Sequence, residues 1–223
     1  MTLRMSLENI VWSEVWQASK DTLKMVGASL LFTIIIGLLL GIVLFLTSKR
    51  QLLAQPVVYF LLSLVVNILR SVPFIILMIM IMPVTKAITG TTLGVQGSIP
   101  PLVVAAAPFF ARLVETSLRE VDRGVIEAAQ AMGASRLDIV RRVLLLEARP
   151  SLLAGVTITA VTLVSYTAMS GVIGGGGLGD LALRYGYQRF QTDVMVVTVI
   201  LLVILVQLLQ MAGDYLVRRF SRK

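Results

Sequence analysis

Chemistry has few places to happen in this chain. It contains neither histidine nor cysteine, which excludes imidazole acid–base catalysis, thiolate nucleophiles, disulfides and His-based metal sites. No pair of acids lies deep within an apolar run, so a buried carboxylate dyad is also excluded. The run Gly174 to Gly179, "GGGGLG", formally contains G-x-G-x-x-G. A dinucleotide site needs a strand before that pattern and a helix after it, and here a long apolar run precedes it. No G-x-x-x-x-G-K-[ST] occurs, so the chain has no phosphate cradle of its own. The expectation is no catalytic residue, no metal and no cofactor bound by this chain.

One stretch is out of character with its surroundings. Residues 127–150, "EAAQAMGASRLDIVRRVLLLEARP", crowd charges, alanines and one glycine between apolar runs. Two short helices can be drawn in it. The first ends near Met132, where Gly133 can take the left-handed conformation that closes a helix. Ser135, with Asp138 three residues later, resembles a capping box that starts the second. Ala128, Ala129 and Ala131 keep the first helix slim, so another protein could approach its backbone. An amphipathic loop lying on lipid headgroups, arginines toward phosphate, accounts for the same residues.

The elements that hold this stretch are membrane spans. The 223 residues are 57% hydrophobic and 14% charged, with a mean hydropathy of +0.90, against roughly 25% charged for a soluble domain. Spans of about 20 apolar residues are expected near 25–47, 56–83, 99–119, 150–173 and 192–217. The fold class is therefore all-α, a polytopic membrane protein of about five transmembrane helices. The second run is interrupted at Pro73, which removes a helical hydrogen bond; division there into two short spans would make six.

Lysines and arginines set the orientation. With the loop after the first span, the 127–150 stretch and the C-terminus on one side, that side holds thirteen of them and the other six, with Arg70 inside a span. The thirteen belong in the cytoplasm, which leaves the N-terminus outside and makes the net charge of +8 a topology signal, not a nucleic-acid signal. Residues 1–24 lack the pattern of a cleaved signal peptide and offer Leu7, Ile10, Val11 and Val15 as one side of a possible interfacial helix, with Trp12 and Trp16 at headgroup level. Residues 25–217 form the transmembrane domain, with 120–149 as its distinctive inner segment, and 218–223 form a basic tail.

Glu127-Ala128-Ala129, then Gly133 after three residues, then Val143 and Leu145 after nine more, resembles the cytoplasmic "EAA" loop of permease subunits of bacterial ABC importers. That pattern ends in Ile-x-Leu-Pro; Val143 replaces the Ile, and Leu146 stands where the Pro belongs, with Pro150 four residues on. "NILRSVPFIIL", "AAPFFARLVE", "SYTAMSGVIGGGGLGDLALRYGY" and "AGDYLVRRF" extend the likeness over nearly the whole chain, toward the methionine-importing members. The resemblance implies a type I ABC importer permease fold in the bacterial inner membrane, a second copy of the chain, two ATPase subunits that bind the ATP, and an extracytoplasmic substrate-binding protein. It also implies that Glu127, Ala128, Ala129 and Gly133 belong to the helix that docks on the ATPase.

Three features carry two readings each. Gly155, Thr159, Thr162, Tyr166 and Met169 recur at helical spacing on one face, as the lining of a pathway for a small zwitterion or as a helix-packing stripe. Arg70 could attract a substrate carboxylate, or tie down carbonyls freed by Pro73. Gly174 to Gly179 form a flexible outer loop, or part of an external gate. Ser29, Thr33, Gly37 and Gly41, four residues apart, point to close helix contact. Two rivals remain: a permease for another polar amino acid, and an ion-coupled secondary transporter, for which the spans lack deep carboxylates.

Overall fold

A computed structural model describes residues 10–221, and all regular structure among them is helical. Helix α1, Trp12–Thr47, runs 36 residues without a break, because no proline interrupts it. Residues 12–24 continue directly into the first span as one helix, while Leu7 lies outside the described residues. Then come α2, Pro56–Ser71, α3, Phe74–Met80, and α4, Met82–Thr89, which closes on Gly90 in the left-handed conformation. Helix α5, Gly94–Arg119, leads into α6, Arg123–Ala131, and α7, Arg136–Asp138. A π-helical turn at Ile139–Leu144 joins α7 to α8, Leu145–Glu147. Helix α9, Arg149–Ser170, is followed by α10, Gly177–Leu181, a second π-helical turn at Ala182–Tyr187, and α11, Thr192–Ser221.

Four helices, Trp12–Thr47, Gly94–Arg119, Arg149–Ile173 and Thr192–Ser221, are long and apolar enough to cross a membrane, and α2 with α3 adds a broken fifth, bent by 107°. Pro73 is the cause. It caps α3 with φ −56° and ψ 137°, an extended backbone that its ring favours and an α-helix cannot continue through. Pro150 falls in the first turn of α9, where a missing N–H costs nothing, and the chain breaks just before it at Ala148.

The helices contribute to two compact units. Among the described residues the first takes 10–32, 72–105 and 160–209, the second 33–71, 106–159 and 210–221. The first unit is built around Ile10, Val15 and Ala18, packed with Leu178, Leu181 and Val194. In the second, Phe45, Phe110, Val114 and Leu118 pack with Ile126, Ala129, Ile139, Leu144 and Ala148, so the segment between α5 and α9 is part of a core. Outside these cores the spans stay apolar where they are bare: Leu31, Ile35 and Leu39 of α1, Phe60, Leu64 and Ile68 of α2, and Val203, Leu208 and Met211 of α11 are all exposed. Exposed apolar area on this scale belongs against lipid or another protein.

Within the second unit α1 and α5 touch backbone to backbone. A Cβ on Gly37 would lie 2.9 Å from the Ala107 carbonyl oxygen, and one on Gly41 2.6 Å from that of Ala111. Two glycines four residues apart meet two alanines four residues apart, which is how small residues bring helices together in lipid.

Candidate functional site

The segment between α5 and α9 owes its shape to local capping. Asp122 starts α6, its side chain accepting from the Gly124 N–H at 2.6 Å. At the other end Gly133, at φ +80°, donates to the Gln130 carbonyl at 3.0 Å while Ala134 donates to that of Ala129 at 3.1 Å. Together these form a Schellman closure, and a left-handed residue is what it requires. Two residues later the Ser135 hydroxyl accepts from the Asp138 N–H at 3.2 Å and donates to the Asp138 carboxylate at 2.6 Å. The Ser135 hydroxyl, helped by Arg142, holds the Asp138 carboxyl below its ordinary value. The result is a helix–turn–helix fixed by its own sequence.

Its two faces differ. Ile126 and Ala129 point into the core, Ala129 at 4% exposure. Glu127 and Ala128 are exposed, as is Gly133, and beside them Met132 is 83% and Leu137 58% exposed. Glu127 is held by Arg123, Nε to Oε1 3.1 Å, an ion pair open to solvent on both sides. The four sequence-marked residues therefore divide: Glu127, Ala128 and Gly133 present a surface, and Ala129 anchors it. Glycine at 133 meets nothing within 4 Å of where a Cβ would stand; it serves the backbone turn, not a close approach.

A cluster that the sequence reading passed over lies nearby, at the end of α5. Glu115 is buried at 3% exposure and accepts from Arg112 and from Arg119, each at 2.6 Å, and from the Tyr59 hydroxyl at 3.1 Å. Arg112 reaches on to α2, donating to the Ser63 hydroxyl and to Asn67 Oδ1 at 3.0 Å. A buried carboxylate is tolerated only when paired and fully hydrogen-bonded, and here two guanidinium groups and a phenol meet it. The i, i+3 and i+4 spacing on α5 was visible in the sequence; the partners on α2, more than forty residues away, were not.

The stripe on α9 also divides. Gly155 is buried, with the place of its missing Cβ 3.4 Å from Leu113, and Thr159 donates to the Gly155 carbonyl at 2.8 Å. Thr159 is buried as well. Tyr166 stacks on Phe74, ring centroids 4.6 Å apart, Thr162 is half-buried, and Met169 is 45% exposed. Arg70 is exposed at the end of α2 with its guanidinium 6.0 Å from the Phe109 ring centroid. Among the described residues no hydrogen bond links it to a carbonyl freed at Pro73.

The glycine run is packed, not loose. Leu178 N–H donates to the Thr22 hydroxyl at 2.8 Å, and Gly94 N–H donates to the Gly174 carbonyl at 2.9 Å. A Cβ on Gly175 would come within 2.6 Å of the Ser98 and Ser170 hydroxyls, and one on Gly179 would collide with the backbone of Ala168. Gly179→Ala is therefore expected to lower the stability of the purified protein by about 3 kcal/mol, the upper range for overpacking a site that cannot yield. Gly176→Ala, at φ +79° and ψ −172°, a backbone region essentially reserved for glycine, with open space around it, is expected to cost about 1 to 2 kcal/mol. Thermal unfolding in detergent ranks the two, and equal loss would mean that conformation, not close approach, sets the need for glycine.

The architecture defined by these elements is a polytopic helical membrane protein with a rigid, self-capped helix–turn–helix between two spans. The chain belongs to the family described as binding-protein-dependent transport system inner membrane component, whose model matches residues 33–223. It is 49% identical over 215 residues to the probable D-methionine transport system permease protein MetI of Vibrio cholerae, covering 96% of this chain and 94% of that one. The methionine import system permease protein MetP of Bacillus subtilis is 46% identical over 96% of this chain and 97% of its own. Among solved structures, one of the MetNI methionine ABC transporter in inward-facing conformation superposes with a TM-score of 0.93 at 45% identity over the whole of both chains. An amino acid ABC transporter at 15% identity still gives a TM-score of 0.79 over 98% of this chain, a likeness of fold alone.

Proposed function

We propose that this chain is the membrane-spanning permease subunit of an ATP-driven methionine importer, acting as a homodimer with two separate ATPase subunits and an extracytoplasmic binding protein. The observation that carries the reading is the self-capped helix–turn–helix. Its outer face, with Glu127, Ala128 and Met132 uncovered, offers a partner a firm surface, while Ile126 and Ala129 tie that surface to the cores of the spans. Push on such a lever and the spans must respond. ATP is bound and hydrolysed by the partner, whose closure drives the spans between outward- and inward-facing states. Thr162, Tyr166 and Met169 are the pathway-lining candidates that packing leaves available, with a soft thioether and hydroxyls suited to an apolar zwitterion. Arg70, uncommitted to any carbonyl among the described residues, is available to a carboxylate.

Methionine as the cargo follows from the names of the relatives. The test is reconstitution of the permease with its ATPase and binding protein in liposomes, measuring ATP-dependent uptake of L- and D-methionine beside polar amino acids. Methionine uptake that needs both partners supports the reading. ATP-dependent uptake of another amino acid but not of methionine overturns the substrate and leaves the importer, and uptake that follows an ion gradient without the ATPase overturns both.

Orientation is tested separately. In intact cells Ser135→Cys and Ser221→Cys are expected to resist a membrane-impermeant thiol reagent, while Gln188→Cys is labelled. The absence of native cysteine leaves no background. Labelling at 135 from outside would reverse the topology.

A further inference from the structure

Beside the helix–turn–helix, and sharing Glu127 with the surface assigned to the ATPase, the second unit holds a cavity of about 490 Å³. The turn after α1 forms one wall, and α6 with the start of α7 the other. Arg50, Arg123 and Arg136 line it with a single acid, Glu127, and with the nearly buried Ile126 and Ile139. Glu127 takes one face of Arg123. The side chains of Arg50 and Arg136 make no hydrogen bond or ion pair among the described residues. Three cations against one anion, two of them uncommitted, would repel one another in an empty site. Arg50 also sits at φ +65°, a left-handed backbone that glycine adopts freely and a long side chain does not.

We propose that this cavity binds the phosphate headgroup of an anionic phospholipid. Arginine presents paired N–H donors that match phosphate oxygens, and the cavity volume lies in the range of small-molecule sites. The membrane favours a lipid over a free ion as the source of that phosphate. Arg50 stands three residues beyond the end of α1 at Thr47, so it lies at the level where a span gives way to headgroups, and basic pockets there collect anionic lipid. The inference rests on the membrane-spanning reading alone, and holds for any cargo.

The test uses the complete permease–ATPase complex, delipidated in detergent and exposed to mixed micelles of phosphatidylglycerol or phosphatidylcholine, with retained lipid counted by native mass spectrometry. The expected result is retention of phosphatidylglycerol but not phosphatidylcholine, weakened about twenty-five-fold in the Arg50→Gln, Arg136→Gln double variant, at about fivefold for each cation. Glu127→Gln, which removes the one negative charge, is expected to strengthen retention severalfold, so the proposal does not depend on the double variant folding well. Three outcomes overturn it: retention unchanged in both variants; inorganic phosphate competing as well as the lipid, which would make the site one for the free ion; or lipid bound by the permease alone and expelled when the ATPase is present, which would give the arginines to acidic groups of that subunit.

Discussion

Replacing Glu115 by alanine is expected to destabilise the protein by about 3 kcal/mol, the lower end of the range for breaking a buried charge pair. Arg112 would lose its 2.6 Å partner while its side chain stays only 18% exposed, and the cost of an under-compensated charge exceeds that of any hydrogen bond it replaces. Arg119, with its side chain 43% exposed, can turn to solvent and contributes little, which is why the lower figure applies. Tyr59→Phe removes one hydrogen bond to the same carboxylate and is expected to cost about 1 kcal/mol. Thermal unfolding in lipid nanodiscs measures both. A loss for Glu115→Ala no larger than that for Tyr59→Phe would show that the arginines find water, and that α2 is not held to α5 by this cluster.

The second large effect separates surface from anchor on α6. Ala128→Trp adds bulk to an exposed position, so folding is expected to be unaffected, while a docked partner would be blocked. ATP-dependent uptake should fall tenfold or more, the factor given by about 1.4 kcal/mol of lost docking, with hydrolysis by the ATPase persisting. Ala129→Leu adds bulk where Phe110, Val114 and Ile139 already fill the space, and should cost about 1 to 3 kcal/mol in stability by overpacking. Adjacent residues thus fail by different routes. Normal uptake in Ala128→Trp would sink the docking surface, and unaltered unfolding of Ala129→Leu would sink the anchor.

That division between neighbours marks the limit of what the sequence makes legible. The turn at Gly133 and the cap at Ser135 are written in residues within six positions of one another, and local chemistry of that kind reads directly. The spans read equally well, because twenty apolar residues have few alternatives. Alanine carries no polarity to say which way it faces, so Ala128 and Ala129 look alike until the core is built around one of them. Glu115 was visible as an acid near the end of a span, and its i+4 arginine is in plain sight; what makes it a clamp comes from Tyr59 and Ser63 on another helix. The charges before residue 25 differ from the span that follows, yet the backbone runs through the change. A helix needs only the absence of a breaker to continue, and between Trp12 and Thr47 there is none.

The backbone contact between α1 and α5 has a mechanical consequence. Gly37 and Gly41 against Ala107 and Ala111 make two rows of notches with a common spacing of four residues, about 6 Å along a helix axis. Gears cut to one pitch mesh at whole teeth and jam between them, since half a step would drive a Cβ into a carbonyl. Whatever force reaches these two helices, they cannot creep past each other by small amounts. They must travel locked, as a single strut, or jump by a full tooth.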